Sequence, residues 1–584
     1  MARLTVGGRS LDFAPGPTLL ELLRSAGVAV ESPCGGKGFC GKCRVLLKGE
    51  SGPATAEERR FLTASELERG VRLACVCRPL GDVTASFEEK NDSGLDILTD
   101  GAMPDVELQP QVTLKRLKLP QPRLHDGCSL LDHLRSAANV AAVALPLLRR
   151  VPEAFAAENV TAVFYGDELI DLISEETDEV FGLAADIGTT TVVVSLVSLR
   201  DGRELGSASA VNPQKDWGLD VISRIDCAAT TADGLEGMRR AVTQCLSGLT
   251  DQLCRDHGIA RQRIYEMVVG ANATMVHLLL GVNPRSLGRA PFSPVFRRGV
   301  TVSAAEAGIP LGPGARLYVV PGVSAYIGGD IVAGMLATEL AADRGVRLFI
   351  DIGTNGEIVL SRGGHLSSCS CAAGPALEGM NISCGMRASE GAIEAVTLGE
   401  TPGLKVIGGG APRGLCGSAI LDVLSEAVRL GMVGRTGRLK PGPLVEDRGG
   451  TRMLVLRPSD PEITVTQSDL RQVQLARGAI LSGFLSLLEV NGLTMRDLDQ
   501  VIVAGQFGHH LSRESLTGSG LIPAELSDRI VYGGNTSRAG AMMCLLSRSC
   551  RREAERIAGL VEYVELSVLE DYDRLFARCL QFDL

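Results

Sequence analysis

"LAADIGTTTVVVSLVSLRDGRELG", residues 183–206, and "LFIDIGTNGEIVLSRGGHLSSC", residues 348–369, share one shape, and that shape decides how most of the chain folds. Each reads as strand, tight turn, strand, glycine turn and strand, with an aspartate, Asp186 or Asp351, at the end of the first strand. The small residues that follow, Gly188 and Gly353, let backbone N–H groups face phosphate oxygens. Thr189, Thr190, Thr354 and Asn355 add donors, and a carboxylate can hold Mg2+ directly or through water. A single Asp-Gly turn reads as an ordinary hairpin. Two long matching copies point instead to turns that clamp one nucleotide from opposite sides.

A second dense stretch lies near the start: "ESPCGGKGFCGKC", residues 31–43. Cys34, Cys40 and Cys43 form C-x5-C-x2-C, and "RLACVC" adds Cys75 and Cys77. The first gap is one residue longer than the plant-type iron–sulfur spacing, yet it still closes a loop. Two irons bridged by sulfide need four thiolates, and the sulfides gain from backbone N–H donors that Gly35, Gly36, Gly38 and Gly41 can aim inward. A structural zinc site built from Cys40/Cys43 and Cys75/Cys77 is the alternative, although the second pair lacks the usual two-residue gap.

The 584 residues leave room for several domains, and 45% hydrophobic with 22% charged residues is a folded composition. A net charge of −10 argues against a nucleic-acid binder. No apolar run reads as a membrane span; "VAAVALPLL" from Val140 is short and carries Pro146. The opening "MARLTVGGRSLDF" alternates like a strand and does not resemble a signal peptide, so the expected location is the cytoplasm. In a reducing compartment sixteen cysteines read as thiols or metal ligands before disulfides.

The chain divides, on this reading, into a small mixed unit of sheet and helix at 1–90, a flexible linker at 91–106, a middle domain at 107–178 and a long α/β region at 179–584. The last has two related halves, about 179–345 and 346–584. The middle domain shows one strand pair, some helical runs and no evident chemistry.

The cysteine pattern resembles the [2Fe-2S] ferredoxins with five residues in the first gap, in which "RLAC" precedes the distant ligand. That resemblance makes Cys34, Cys40, Cys43 and Cys75 the ligands and Cys77 the spare, in a β-grasp fold. The Asp-Ile-Gly-Thr pair resembles the superfamily of acetate and sugar kinases, Hsp70 and actin, which binds ATP between two ribonuclease-H-like domains. "VIVAGQFGHHL" from Val501 matches its late adenosine element, which brings in Gly505, Gln506, Phe507 and Gly508. The combination resembles the reductive activators of corrinoid proteins. It is supported by "NPQKDWGLDVISRI" from Asn212, "AAGPALEGMNISCGMRASEGAIE" from Ala372, "GLCGSAILDVL" from Gly414 and "GGNTSRAGA" from Gly533. The implied class is a multidomain α+β and α/β protein with a ferredoxin domain, a small middle domain and a duplicated actin/Hsp70-type ATPase domain.

What the resemblance implies is ATP-dependent repair of a methyl-transfer corrinoid protein. Single electrons pass from a [2Fe-2S] cluster to Co(II) to regenerate Co(I), with Mg2+ and ATP as cofactors, Asp186 and Asp351 catalytic, an upstream electron donor and a homodimeric state. Neither nucleic acid nor membrane is an expected partner. Two readings from other classes stay open: a small-molecule kinase with a redox-sensing domain, and a chaperone-like ATPase with a structural cluster. The resemblance also places Gly417 and Ser418 among the nucleotide-binding residues; Glu378 and Ser418 fall in family-matching glycine turns near where the phosphates should sit, with a positioning or a turn role. Cys369, Cys371 and Cys384 lack a complete ligand set and read as buried thiols, His509 and His510 as loop residues, and Trp217 as packing.

Overall fold

The computed structural model describes the chain apart from residues 27, 29, 31–35, 37, 39, 40, 42, 87–100, 102, 124–126, 158, 343, 506–510, 583 and 584. Of the expected flexible linker at 91–106, residues 91–100 and 102 lie outside the described residues, while Gly101 bridges to Gly534 and Met103 and Val106 pack against a buried apolar cluster, so its last residues are held rather than free. The contacts divide the chain into two compact units: residues 1–94, 211–242 and 277–292 in one, and residues 95–210, 243–276 and 293–584 in the other.

The first unit carries a five-stranded mixed sheet in the order Arg9–Phe13, Ala2–Val6, Val83–Ser86, Arg44–Gly49 and Val71–Leu73. Alternation in "RLTV" sends Leu4 and Val6 into the core, and the Gly7-Gly8 turn, with φ of 53° and 76°, closes the expected hairpin. Helix Leu19–Ser25 starts at a capping box in which Thr18 takes the Glu21 N–H. It buries Leu19, Leu20, Leu22 and Leu23 against the sheet, completing a β-grasp arrangement. In the later segments of this unit Trp217 lies against the helix Gly234–His257, where a Cβ on Gly237 would come within 3.0 Å of the indole.

The second unit holds two six-stranded sheets of one design. In the first, Phe181–Ile187 runs antiparallel to Thr191–Ser198 and parallel to Ile264–Ala271, which runs parallel to Arg316–Val319. In the second, Val346–Ile352 runs antiparallel to Gly356–Arg362 and parallel to Gln500–Ala504, which runs parallel to Ile530–Gly534. The duplication read from the two turns is thus a duplication of topology. Both halves also place a helix across the seam. Helices Gly329–Ala337 and Thr536–Leu546 cross so closely that a Cβ on Gly540 would meet the Ala333 carbonyl oxygen at 2.1 Å.

Residues 107–178 form a three-stranded antiparallel sheet, Val112–Lys118, Asn159–Tyr165 and Glu168–Ile173, one strand more than expected. The apolar helical run breaks at Asn139, whose φ of 58° ends helix Leu130–Ala138. A buried network ties this sheet to strand Ile264–Ala271. Tyr165 donates to Glu266 at 2.9 Å, Arg551 pairs with Glu266 at 2.6 Å, and Tyr265 donates to Asp171 at 2.7 Å. Among the described residues one helix, Gln467–Val490, is long and apolar enough by length and composition to cross a membrane, which the sequence reading did not anticipate. Its apolar window is 72% buried inside the protein, with Gly483 against Ile358 and Cys369, so it is read as a core helix.

Candidate functional site

In the ferredoxin domain the first-turn amides of helix Leu19–Ser25 seat the Cys75–Cys77 turn: Leu19 N donates to the Cys77 carbonyl and Leu20 N to the Ala74 carbonyl, each at 2.8 Å. This brings the Cys75 sulfur to 3.2 Å from the Cys43 sulfur, while Cys75 N–H points to Cys43 Sγ at 3.5 Å. Two thiols converging beside a backbone N–H fit an iron–sulfur cluster. Cys34 and Cys40 lie outside the described residues. Cys77 turns the other way, toward Ser51 O at 3.7 Å and the buried Arg72–Glu58 pair. Burial pushes its thiol up to about 11, the reverse of what a thiolate ligand needs.

The two Asp-Ile-Gly-Thr turns are built alike: Gly188 N–H closes on Thr191 O at 2.8 Å and Gly353 N–H on Asn355 O at 3.0 Å. Asp186 is held from across the chain by the start of helix Thr536–Leu546. Asn535 Nδ2 donates to it at 3.0 Å and Ser537 Oγ at 2.8 Å. Thr189 receives Asn272 Nδ2 at 3.3 Å. Gly505, at φ +88°, lies against Asp351, where a Cβ would come within 2.4 Å of its carboxylate; Gln506, Phe507 and Gly508 lie outside the described residues. Glu378 accepts both the Thr190 and the Thr354 hydroxyl. Ser418 gives its proton to the Glu394 carbonyl at 2.6 Å, a bond that ties the helix start at Gly417 to strand Ala392–Thr397. Cys369 and Cys371 are buried and bond to main-chain carbonyls.

Sequence reasoning missed four members of this site. Asp330 opens helix Gly329–Ala337, and Glu357 follows the second turn inside the repeat itself, where the first copy has Val192. Asn535 and Ser537 come from a stretch noticed only as a family match. Glu357 had a signal, an acid replacing an apolar strand residue between two otherwise matching copies. Asp330 had only a Gly-Gly-Asp at a helix start.

These carboxylates perturb one another. Burial, then the Asp186 charge, raises Asp351 to about 7; burial, then Asp351 and Asp186, raises Asp330 to about 7. Glu357 is raised by burial and then by Asp351 and Asp330, and Asp186 by burial, against the bonds from Ser537 and Asn535. Among the described residues no three His, Cys, Asp or Glu side chains stand close enough to hold a metal ion alone. Mg2+ keeps several waters and binds through one or two carboxylates plus substrate phosphates. A folded-state pKa raised to about 7 contributes stability below the unfolded pKa, and that stability is lost as pH rises through about 7. A divalent cation offsets the repulsion that then appears. Mg2+ should therefore raise the unfolding temperature of the ADP-loaded protein more at about pH 8 than at about pH 6. Equal shifts in a thermal melt would show the carboxylates already ionised at the lower pH.

A ferredoxin domain with converging thiols and a duplicated ATPase fold with facing carboxylate turns define an ATP-driven iron–sulfur electron-transfer protein. Three family descriptions match in succession: the 2Fe-2S iron-sulfur cluster binding domain over 4–80, the RACo middle region over 181–343, and the C-terminal ASKHA domain of RACo over 345–583. The corrinoid activation enzyme RamQ of Eubacterium limosum is 30% identical over 585 residues, spanning 95% of each chain. The [Co(II) methylated amine-specific corrinoid protein] reductase of Methanosarcina barkeri is 24% identical, over 68% of this chain and 76% of its own. The solved reductive activator for corrinoid, iron-sulfur protein superposes with a TM-score of 0.73 at 33% identity, covering 100% of this chain and 98% of its own. The chain belongs to the family of corrinoid reductive activators.

Proposed function

We propose that the protein couples ATP hydrolysis to one-electron reduction of Co(II) to Co(I) in a corrinoid protein, restoring a methyl carrier that has lapsed. The observation that carries this reading is the end-to-end match to an activator, 95% of each chain, in which both modules are kept together. Co(II)/Co(I) is a very negative couple in this family, so an ordinary ferredoxin faces an uphill transfer. About 5 kcal/mol of coupled ATP work offsets roughly 0.2 V for one electron.

The reading assigns Cys34, Cys40, Cys43 and Cys75 to a [2Fe-2S] cluster, which supplies the one-electron chemistry. Asp186 and Asp330 would hold the hydrated Mg2+, which neutralises phosphate charge. Asp351, poised near 7, is suited to take a proton from the attacking water. Backbone N–H groups of the turns at Gly188–Thr190 and Gly353–Asn355 would grip the phosphates, the Thr190 and Thr354 hydroxyl protons being given to Glu378, and Gly505–Gly508 would receive the adenosine. Gly417 and Ser418 support the cleft from the start of their helix. A homodimer in the cytoplasm, fed by an upstream electron donor, completes the proposal, with the family resemblance as its support. The domain borders at 90, 106 and 178 belong to it too.

The test supplies a chemical reductant, this protein and a corrinoid partner poised as Co(II), and follows Co(I) by its absorbance. Co(I) should form with ATP and fail to be sustained with a slowly hydrolysed analogue. Full Co(I) formation without nucleotide, at a donor potential no lower than the cell supplies, would overturn the coupling.

A further inference from the structure

Glu378 stands on a short turn, Pro375–Glu378, whose flanking glycines fix its place: Gly374 has φ +73° and Gly379 φ +78°. A Cβ on Gly379 would meet the Met386 carbonyl oxygen at 2.4 Å, and Ala376 and Leu377 are buried in the core. The carboxylate is therefore set on a firmly packed support. Its two oxygens reach two different turns. Thr190, from the hairpin begun by Phe181–Ile187, donates to Oε2 at 2.7 Å, and Thr354, from the hairpin begun by Val346–Ile352, donates to Oε1 at 2.5 Å.

A hydroxyl has one proton and two lone pairs. Once both protons are given to a carboxylate, in bonds strengthened by its charge, Thr190 and Thr354 can only accept from whatever enters the cleft. ATP phosphate oxygens are acceptors and gain nothing from them. The waters of a hydrated magnesium ion are donors, and the half-buried Asp186, Asp330 and Asp351 ask for the same partner. We propose that Glu378 is a positioning residue that fastens the two phosphate turns together and turns the Thr190 and Thr354 lone pairs toward a hydrated Mg2+, so that the cleft prefers MgATP to free ATP. This rests on the reading that the cleft takes MgATP.

The test is calorimetric binding of ATP to the full-length, cluster-loaded protein, with Mg2+ and with a chelator. For the wild type, Mg2+ should tighten binding. In Glu378→Ala that enhancement should fall by about tenfold or more, the scale of losing charge-assisted hydrogen bonds. Affinity for metal-free ATP should hold or improve, because two hydroxyl protons are released and a negative charge is gone. Glu378→Gln can still bridge both threonines, accepting one proton and donating to the other, so it should fold and should lose an intermediate share. If the alanine variant does not fold, the glutamine variant decides alone: a reduced enhancement with metal-free affinity retained supports the proposal. Equal weakening with and without Mg2+ marks a merely structural role and overturns it, as does no change in either variant. A glutamine variant as impaired as alanine would show charge alone acting and overturn the bridging geometry. A wild type that binds no ATP in either condition would remove the cleft reading itself, a different failure from any of these.

Discussion

Cys75→Ser should abolish the visible [2Fe-2S] spectrum, and Cys77→Ser should leave it with two irons per chain. The two cysteines are two positions apart, with only Val76 between them, so composition does not distinguish them; their surroundings do. Cys75 faces Cys43 at 3.2 Å, whereas Cys77 is fully buried behind the turn, with Ser51 O as acceptor and its thiol pushed up to about 11. A serine at 75 replaces a soft thiolate with a hard hydroxyl of much higher pKa, and a cluster needing four thiolates loses one. A serine at 77 replaces a buried thiol with a group of similar size beside an acceptor. Iron analysis and absorbance of the two purified variants settle the matter; loss of the cluster in Cys77→Ser with retention in Cys75→Ser would reverse the ligand assignment.

ATP turnover should drop by about a hundred- to a thousandfold in Asp351→Asn and comparably in Asp186→Asn, the scale of removing one preorganised electrostatic group from a phosphoryl-transfer site. Asparagine keeps the shape, so Asn535 and Ser537 can stay near residue 186 and Gly505 near residue 351. What disappears is charge, and with it the hold on the hydrated cation and a proton acceptor poised near neutrality. The cluster spectrum should not change, because the cysteines belong to a different compact unit. Near-normal phosphate release in both variants would remove these turns from the chemistry.

What the sequence made legible was what is local. The two strand–turn–strand elements could be read because strand, aspartate and small residues are contiguous, and the duplication could be read because it repeats. The cysteine loop was legible in its spacing, but choosing between Cys75 and Cys77 rested on resemblance, since the two stand two residues apart around a turn at 74–76, where strand alternation does not say which sulfur faces the loop. Asn535 and Ser537 could not be assigned to Asp186, because they stand 349 and 351 positions further along the chain. Helix Gln467–Val490 drew no reading of its own for a related reason: its polar residues are spaced among apolar ones, and only packing against strands Gly356–Arg362 and His365–Cys371 shows why so much of it is apolar.

The grip of Asn535 and Ser537 on Asp186 also sets an order of events during synthesis. All five strands of the ferredoxin sheet lie within the first 86 residues, so that sheet can close while most of the chain is still being made. The first Asp-Ile-Gly-Thr turn emerges early as well, but its aspartate, Asp186, waits for a helix that begins at Thr536. A nascent chain therefore has the means to acquire its redox centre long before it can spend nucleotide, and the ribosome keeps the two activities apart in time until the last fifty or so residues are added.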